Sequence, residues 1–279
     1  MTLTRILLSS TVLLTAIWLP TFSNNGSGSI ISKGEETDFV EIDVIARSAL
    51  VTDLLSGEVI FKKNPHELLP LASVSKIISS LVIAEHVLLQ EYIEVTKSAV
   101  DTPEPSTLRV GEHFQAEDLL ALAMGASSND AITALVEHMG DTKWFLELMR
   151  QKGGDGFIFL NPTGLDIENE SKPSNFGSAY ALSRVIKNSL DSVIWQLGEK
   201  EEVVSKEKIA HKVRHTNSLE NEISGIFGAK TGFTDSAGGN LVLIVERPVG
   251  KPKLIIILAS TLEERFEDAK KLLNLMSNY

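Results

Sequence analysis

Strand-like stretches stand at both ends of this chain, and most of what lies between them follows a helical period. ALVTDLLSGEVIFKKN, residues 49–64, holds two apolar runs around Ser56-Gly57, the composition of a hairpin turn. Residues 226–233, GNLVLIVE at 239–246 and KLIIILAST at 253–261 carry three more, with a turn at RPVGKPK. Between them, SVSKIISSLVIAEHVLLQ (73–90) places Ile77, Leu81, Ala84 and Leu88 at helical spacing. Helical patterns continue at EDLLALAMGA, NDAITALVEHMG, TKWFLELMRQKG and NFGSAYALSRVIKNSL, and LEERFEDAKKLLNLMSN closes the chain as an amphipathic helix. A strand cannot be stable alone, so the two ends must meet. The expectation is one α/β domain of the α+β type, its sheet assembled from both termini, with a helical insertion and no internal repeat.

The N-terminus, MTLTRILLSSTVLLTAIWLPTFSNN, sets Arg5 before an apolar run from Ile6 to Leu19. A short positive region before an apolar one is the pattern of an export signal. Its length and the lack of a clean Ala-x-Ala leave two readings for residues 1–23, a cleaved signal peptide or a membrane anchor over residues 6–22. Either reading places the bulk of the protein outside the cytoplasm, periplasmic or otherwise extracytoplasmic. Residues 24–39, rich in Gly, Ser and charge, suit a flexible tether, and the folded part spans 40–279.

A formal charge of −11 argues against nucleic acid as a partner, because phosphate recognition needs a basic surface. The absence of cysteine excludes thiolate nucleophiles, disulfides and Cys-ligated zinc. His211 and His215 have the i, i+4 spacing of a metal pair, but the glutamate of HExxH is missing, and a solvated surface pair is the preferred reading. No metal and no cofactor are expected.

Three short motifs carry chemistry. Ser73-Val74-Ser75-Lys76 is an S-x-x-K at the start of the first long helix, where i and i+3 share a face and an amine can reach a hydroxyl. A lysine acts as a base only when neutral, and desolvation or a second cation favours that form. The helix N-terminus adds backbone donors for an oxyanion. Alone the motif is weak, since Ser205 and Lys208 repeat it in a charged stretch. Ser127-Ser128-Asn129 is an S-x-N between helical runs, and equally reads as a helix cap. Lys230-Thr231-Gly232 is a K-T-G on a strand, able to hold an extended peptide along its edge with cation and hydroxyl at a terminal carboxylate.

This order of motifs matches the set of penicillin-binding proteins and serine β-lactamases. ASVSKIISSLVI, MGASSNDAITALVEHMG, FLNPTGLD and AKTGFTDSAGGNLV together resemble the serine D-alanyl-D-alanine carboxypeptidases, the low-molecular-mass penicillin-binding proteins, over roughly residues 45–262. The resemblance implies an antiparallel sheet of about five strands flanked by helices, with the site at its joint with the helical subdomain. It implies Ser73 as nucleophile, Lys76 as general base, Ser127 as proton relay and Asn129 as an orienting group. Lys230 and Thr231 would hold the substrate carboxylate, with Gly232 beside them. The N–H groups of Ser73 and Phe233 would form the oxyanion hole. The implied partners are a peptidoglycan stem peptide ending in D-Ala-D-Ala and, as inhibitors, β-lactams.

The sequence departs from the family pattern at Phe233, where a histidine is common, and at Thr216 in HTNSL, where some members carry an arginine. Asn161 to Gly164 reads as a structural turn bordering the site, and Trp144 and Trp195 as core. Two other readings compete. A class A β-lactamase needs a deacylating glutamate, and Glu168 and Glu170 lie in the right region without the E-x-x-x-N spacing. A sensor that acylates without turnover shares every motif, and release of D-alanine separates it from an enzyme.

Overall fold

The computed structural model describes residues 29–30, 42–103, 108–167 and 172–276. The expected leader over residues 1–23, most of the tether, Glu168 and Glu170 lie outside the described residues. Among the described residues no helix is long and apolar enough to cross a membrane.

The sheet is built from both ends of the chain, as the strand pattern requires. Strands β1 (Ser29–Ile30), β2 (Ser48–Asp53) and β3 (Val59–Lys63) come from the first quarter. Strands β4 (Ile226–Thr234), β5 (Gly238–Glu246) and β6 (Pro252–Ser260) come from the last. Their spatial order is β1-β3-β2-β6-β5-β4, antiparallel at every joint. Strand β6 meets β2 with Leu254 opposite Thr52 and Ile256 opposite Leu50, closing the chain's two ends on each other. The strand β4 that carries the K-T-G forms the outer edge.

Both faces of this sheet are covered, which is why its strands read as nearly continuous apolar runs. Leu50, Val242, Ile244, Leu254 and Ile256 pack into the core shared with the helical insertion. Their neighbours Val51, Leu241, Leu243, Ile255 and Ile257 pack on the opposite face against Ala269 and Leu272 of the closing helix, Glu264–Met276. This strict two-residue alternation fixes the register, since a one-residue slip would exchange the two cores. Asp268, fully buried in that helix, accepts from the N–H groups of Ile45 and Ala46 at 2.9 and 2.8 Å and from Ser260 Oγ at 3.0 Å, tying the entry of β2 to the exit of β6.

In the insertion, helix α1 (Lys76–His86) is apolar nearly all round and buried from Lys76 to Ile83, the signature of a central helix. It packs against α2 (Ala116–Gly125), α3 (Asn129–Met139) and α4 (Thr142–Gly153), while α5 (Ala179–Lys187) packs on α4 and on strands β2 and β6. The residues before Lys76 differ from the expected single helix: Ala72–Ser75 form a 3-10 turn leading into α1. Strands also occur within the insertion. Short pairs join Tyr92–Glu94 to His113–Gln115 and Glu202–Val204 to Ala210–Lys212, while Leu69–Pro70, Phe176–Gly177 and Phe157–Ile158 make a three-stranded patch.

Two sequence expectations are corrected here. Trp195 is core, at 2% exposure, but Trp144 is 46% exposed and stands edge-on to His86. Helix α4 buries Phe145 and Met149 on one stripe, and Trp144, one residue off that stripe, faces outward. His211 and His215 are not a solvated pair: His211 is buried on the strand Ala210–Lys212 with Nε2 3.0 Å from Glu112 Oε1, and His215 is half-buried in a loop.

Candidate active site

Every residue of the three motifs is at least partly buried, and they converge at the joint between the sheet edge β4 and the insertion. Ser73 sits in the 3-10 turn, and Lys76 opens α1, so the S-x-x-K spans the junction of the two helices. Lys76, with no exposed surface, donates from Nζ to Ser73 Oγ at 2.7 Å, to Asn129 Oδ1 at 2.6 Å and to the Thr163 carbonyl at 2.8 Å. Its nitrogen is thereby held at hydrogen-bond distance from the Ser73 hydroxyl. The second S-x-x-K lies in the hairpin turn after Glu202–Val204, where the Lys208 N–H closes on the Ser205 carbonyl.

Asn129 is the first residue of α3, and Ser128 rather than Asn129 is its cap, accepting from the Ala131 N–H at 3.0 Å. That division of labour frees the Asn129 amide for Lys76. The loop before the cap forces Ser127 into the left-handed region at φ 61°, a conformation non-glycine residues rarely adopt. So held, Ser127 Oγ lies 2.8 Å from Lys230 Nζ.

Lys230 stands opposite Val242 of β5, whose side chain belongs to the helix-facing core, so the lysine also projects toward the joint. It is 1% exposed and donates as well to the Thr231 carbonyl at 2.8 Å. Gly232 answers why a strand should be interrupted here. A Cβ on it would fall 3.1 Å from the Ser73 nitrogen and 2.8 Å from the Leu71 carbonyl, so only glycine lets the strand approach the Ser73 turn this closely. Phe233, 40% exposed, follows at the open edge.

Sequence reasoning missed three supports. The Asn161–Gly164 turn is structural as expected, but its Thr163 carbonyl also binds Lys76. Asn161 Oδ1 shapes that turn by accepting from the N–H groups of Thr163 and Gly164 at 3.1 and 2.7 Å, and Asn175 Nδ2 ties it to Ser75. Thr216, where no role was assigned, places Oγ1 2.5 Å from Thr231 Oγ1, and its N–H donates to the Gly125 carbonyl at the end of α2. Arg265, from the closing helix, donates from Nη1 to the Gly232 carbonyl at 2.9 Å. Burial pushes its guanidinium down from the ordinary range, with Glu263 working in the opposite sense. Of these, the Asn-Pro-Thr-Gly turn and HTNSL left a local sequence signal, and Arg265 left none.

Among the described residues, no three histidine, cysteine or carboxylate side chains gather as a metal site. The chemistry the cluster supports is acyl transfer: a hydroxyl with an amine on it, a second hydroxyl on a second cation, and a strand edge beside both.

Comparison with known proteins agrees with this geometry. A sequence profile described as D-alanyl-D-alanine carboxypeptidase matches residues 33–257. The chain is 30% identical over 247 residues to a D-alanyl-D-alanine endopeptidase of Escherichia coli, covering 82% of this chain and 76% of that protein. It is 28% identical over 277 residues to the D-alanyl-D-alanine carboxypeptidase DacF of Bacillus subtilis, covering 94% and 69%. Among solved structures, penicillin-binding protein D2 of Listeria monocytogenes, in its ampicillin-bound form, superposes with a TM-score of 0.71 at 24% identity, covering 84% of this chain and 98% of that one.

Proposed function

The chain belongs to the D-alanyl-D-alanine carboxypeptidase family, and on that premise we propose that Ser73 is its nucleophile and that it removes the terminal D-alanine of peptidoglycan stem peptides. The observation that carries this reading is the seating of Lys76 Nζ between Ser73 Oγ and Asn129 Oδ1. Lys76 Nζ, 2.7 Å from Ser73 Oγ, is within reach of the proton that the serine would lose.

Ser73 Oγ attacks the carbonyl of the penultimate D-alanine while its proton passes to Lys76. The developing oxyanion lies between the N–H groups of Ser73 and Phe233, which the absence of a side chain at Gly232 brings together. Ser127, held on Lys230, hands a proton to the departing amine as the C–N bond breaks. Lys230 and Thr231 receive the leaving carboxylate, and water then cleaves the acyl-enzyme ester. A β-lactam acylates the same serine, because its ring amide and carboxylate occupy the positions of the dipeptide.

Export of the domain, with residues 6–22 as signal or anchor, fits an activity on the cell wall. A second reading is cleavage of D-alanyl bonds inside cross-linked peptides, by analogy with the relative named as an endopeptidase. It is favoured by an open cavity beyond Thr231.

The test is intact-mass analysis of residues 38–279 after a penicillin pulse. Wild type gains one adduct, mapping to Ser73, and Ser73→Ala gains none while keeping its fold. Covalent labelling that survives in Ser73→Ala would remove the serine from its role.

A further inference from the structure

Strand β4 continues past the catalytic residues into a cavity of about 300 Å³, at the lower end of the range of small-molecule sites. Direction along the strand decides what this cavity meets. Gly232 lies against the Ser73 turn, and Thr231, Lys230, Ala229 and Gly228 lead from it into the cavity. In the reading above, the leaving residue's carboxylate rests on Lys230 and Thr231. Whatever hangs from that residue therefore enters the cavity, whereas the acyl part runs the other way, past Phe233. A terminal alanine offers only a methyl group to this space.

The walls specify a different side chain. The floor is apolar, made by Met124, Ile194 and Trp195 beneath the strand, with Trp195 so close to Gly228 that a Cβ there would meet its ring at 2.9 Å. The rim carries two carboxylates, Glu199 and Glu220. Glu220 faces His215 Nδ1 at 3.2 Å, and the other ring nitrogen of His215 lies 3.0 Å from the Lys200 carbonyl. Glu199 has no ion-pair partner among the described residues, and desolvation first, then the charge of Glu220, raise its carboxyl above the ordinary range despite the nearby His215. Asn217, also on the wall, is buried and has an Nδ2 without a protein acceptor among the described residues. An aliphatic stem on the floor with a cation at the rim suits the apolar side chains and the two carboxylates, while the Asn217 donor calls for an acceptor, which the leaving residue's carboxylate is.

We propose that this cavity is a leaving-group subsite for a residue whose side chain is an aliphatic stem ending in an ammonium group. The proposal rests on the Ser73 acyl-transfer reading and deepens it. The Ser73 Oγ–carbonyl bond forms as the C–N bond breaks, and the amine of the basic residue departs with the proton from Ser127. Water then hydrolyses the ester and restores the serine. The zwitterionic leaving residue is held at both ends, its carboxylate by Lys230 and Thr231 and its ammonium by Glu199 and Glu220.

The experiment uses three N-acylated peptides, identical through their penultimate D-alanine and ending in D-alanine, D-lysine or D-norleucine. D-Lysine and D-norleucine have the same stem and differ by the ammonium. In wild type, kcat/KM for the D-lysine peptide exceeds that for D-norleucine by about five- to tenfold. In the Glu199→Gln/Glu220→Gln double variant the ratio falls below about twofold. The ratio is internal to each protein, so a general loss of catalytic power cancels. Labelling of Ser73 by penicillin with no D-lysine advantage in wild type, or with the advantage intact in the double variant, overturns the subsite alone. No labelling of Ser73 and no cleavage of any peptide overturns the parent reading and the subsite with it.

Discussion

Arg265 Nη1 donates to the Gly232 carbonyl across 2.9 Å, from a helix on the far side of the sheet from the insertion. The Gly232 carbonyl and the Phe233 N–H belong to one planar peptide unit, so fixing the oxygen on one side aims the N–H the opposite way. Arg265 is therefore a positioning residue for the proposed oxyanion donor. Arg265→Met is expected to slow penicillin acylation by about tenfold or more, less than the ~10²–10³ that follows outright loss of such a donor. Arg265→Lys is expected to recover part of the rate. Because the guanidinium also satisfies a buried carbonyl, stability should fall as well, by about 1–3 kcal/mol, and the melting temperature with it. A Met variant that melts lower but acylates at the wild-type rate would leave Arg265 with a structural role only.

Thr216 Oγ1 and Thr231 Oγ1 lie 2.5 Å apart, making a pair of hydroxyls at the place where the substrate carboxylate is proposed to bind. Thr216→Val keeps the shape and removes one hydroxyl on an exposed residue, so the fold should hold. One hydrogen bond of about 0.5–1.5 kcal/mol corresponds to a two- to tenfold rise in KM for a D-Ala-D-Ala peptide. The kcat should change less, because the contact exists before and during the chemical step. Steady-state kinetics on a single peptide decide it, and an unaltered KM would sever Thr216 from substrate binding.

Gly164 supports Lys76 at one remove. A Cβ on it would lie 2.1 Å from the Ala72 carbonyl oxygen, and its φ of 84° is itself strained for any other residue. Gly164→Ala must push the Asn161–Gly164 turn away from the Ser73 turn, carrying the Thr163 carbonyl off Lys76. The expected result is a loss of about 1–3 kcal/mol in stability together with slower acylation. Thermal melting and penicillin labelling on the same preparation test both halves, and an unchanged melt would mean that the turn relaxes freely.

The parts legible in the sequence were those that local chemistry or a strict period imposes. The near-continuous apolar runs of β2, β5 and β6 and the apolar run of α1 announced the sheet and the central helix, because burial on two faces leaves little choice of residue. Ser73, Lys76, Ser127, Asn129 and the K-T-G were visible as motifs, since each set stands within a few residues of sequence. Arg265 and Thr163 were invisible for the complementary reason. Arg265 acts on a backbone carbonyl, and Thr163 acts through its own, so neither contact demands a recognisable pair of side chains. His211 was misread because a three-residue strand has no period to detect, and its partner Glu112 comes from a distant segment.

Ser127 brings stability and activity into opposition. Its left-handed φ of 61° places Oγ on Lys230, and for a residue with a Cβ that conformation costs about 1–3 kcal/mol. Ser127→Ala removes the hydroxyl and keeps the strain, while Ser127→Gly removes both. The difference between the two variants therefore isolates the backbone term from the lost hydrogen bond. Ser127→Gly should be more stable than Ser127→Ala by about 1 kcal/mol, or roughly 2–4 °C in melting temperature for a domain of this size. Both should lose most of the D-alanine release, because neither carries the hydroxyl proposed to pass a proton to the leaving amine. Equal melting of the two variants would mean that the loop relaxes out of the left-handed region once Lys230 no longer holds it. Full D-alanine release in either variant would move the proton relay to another group.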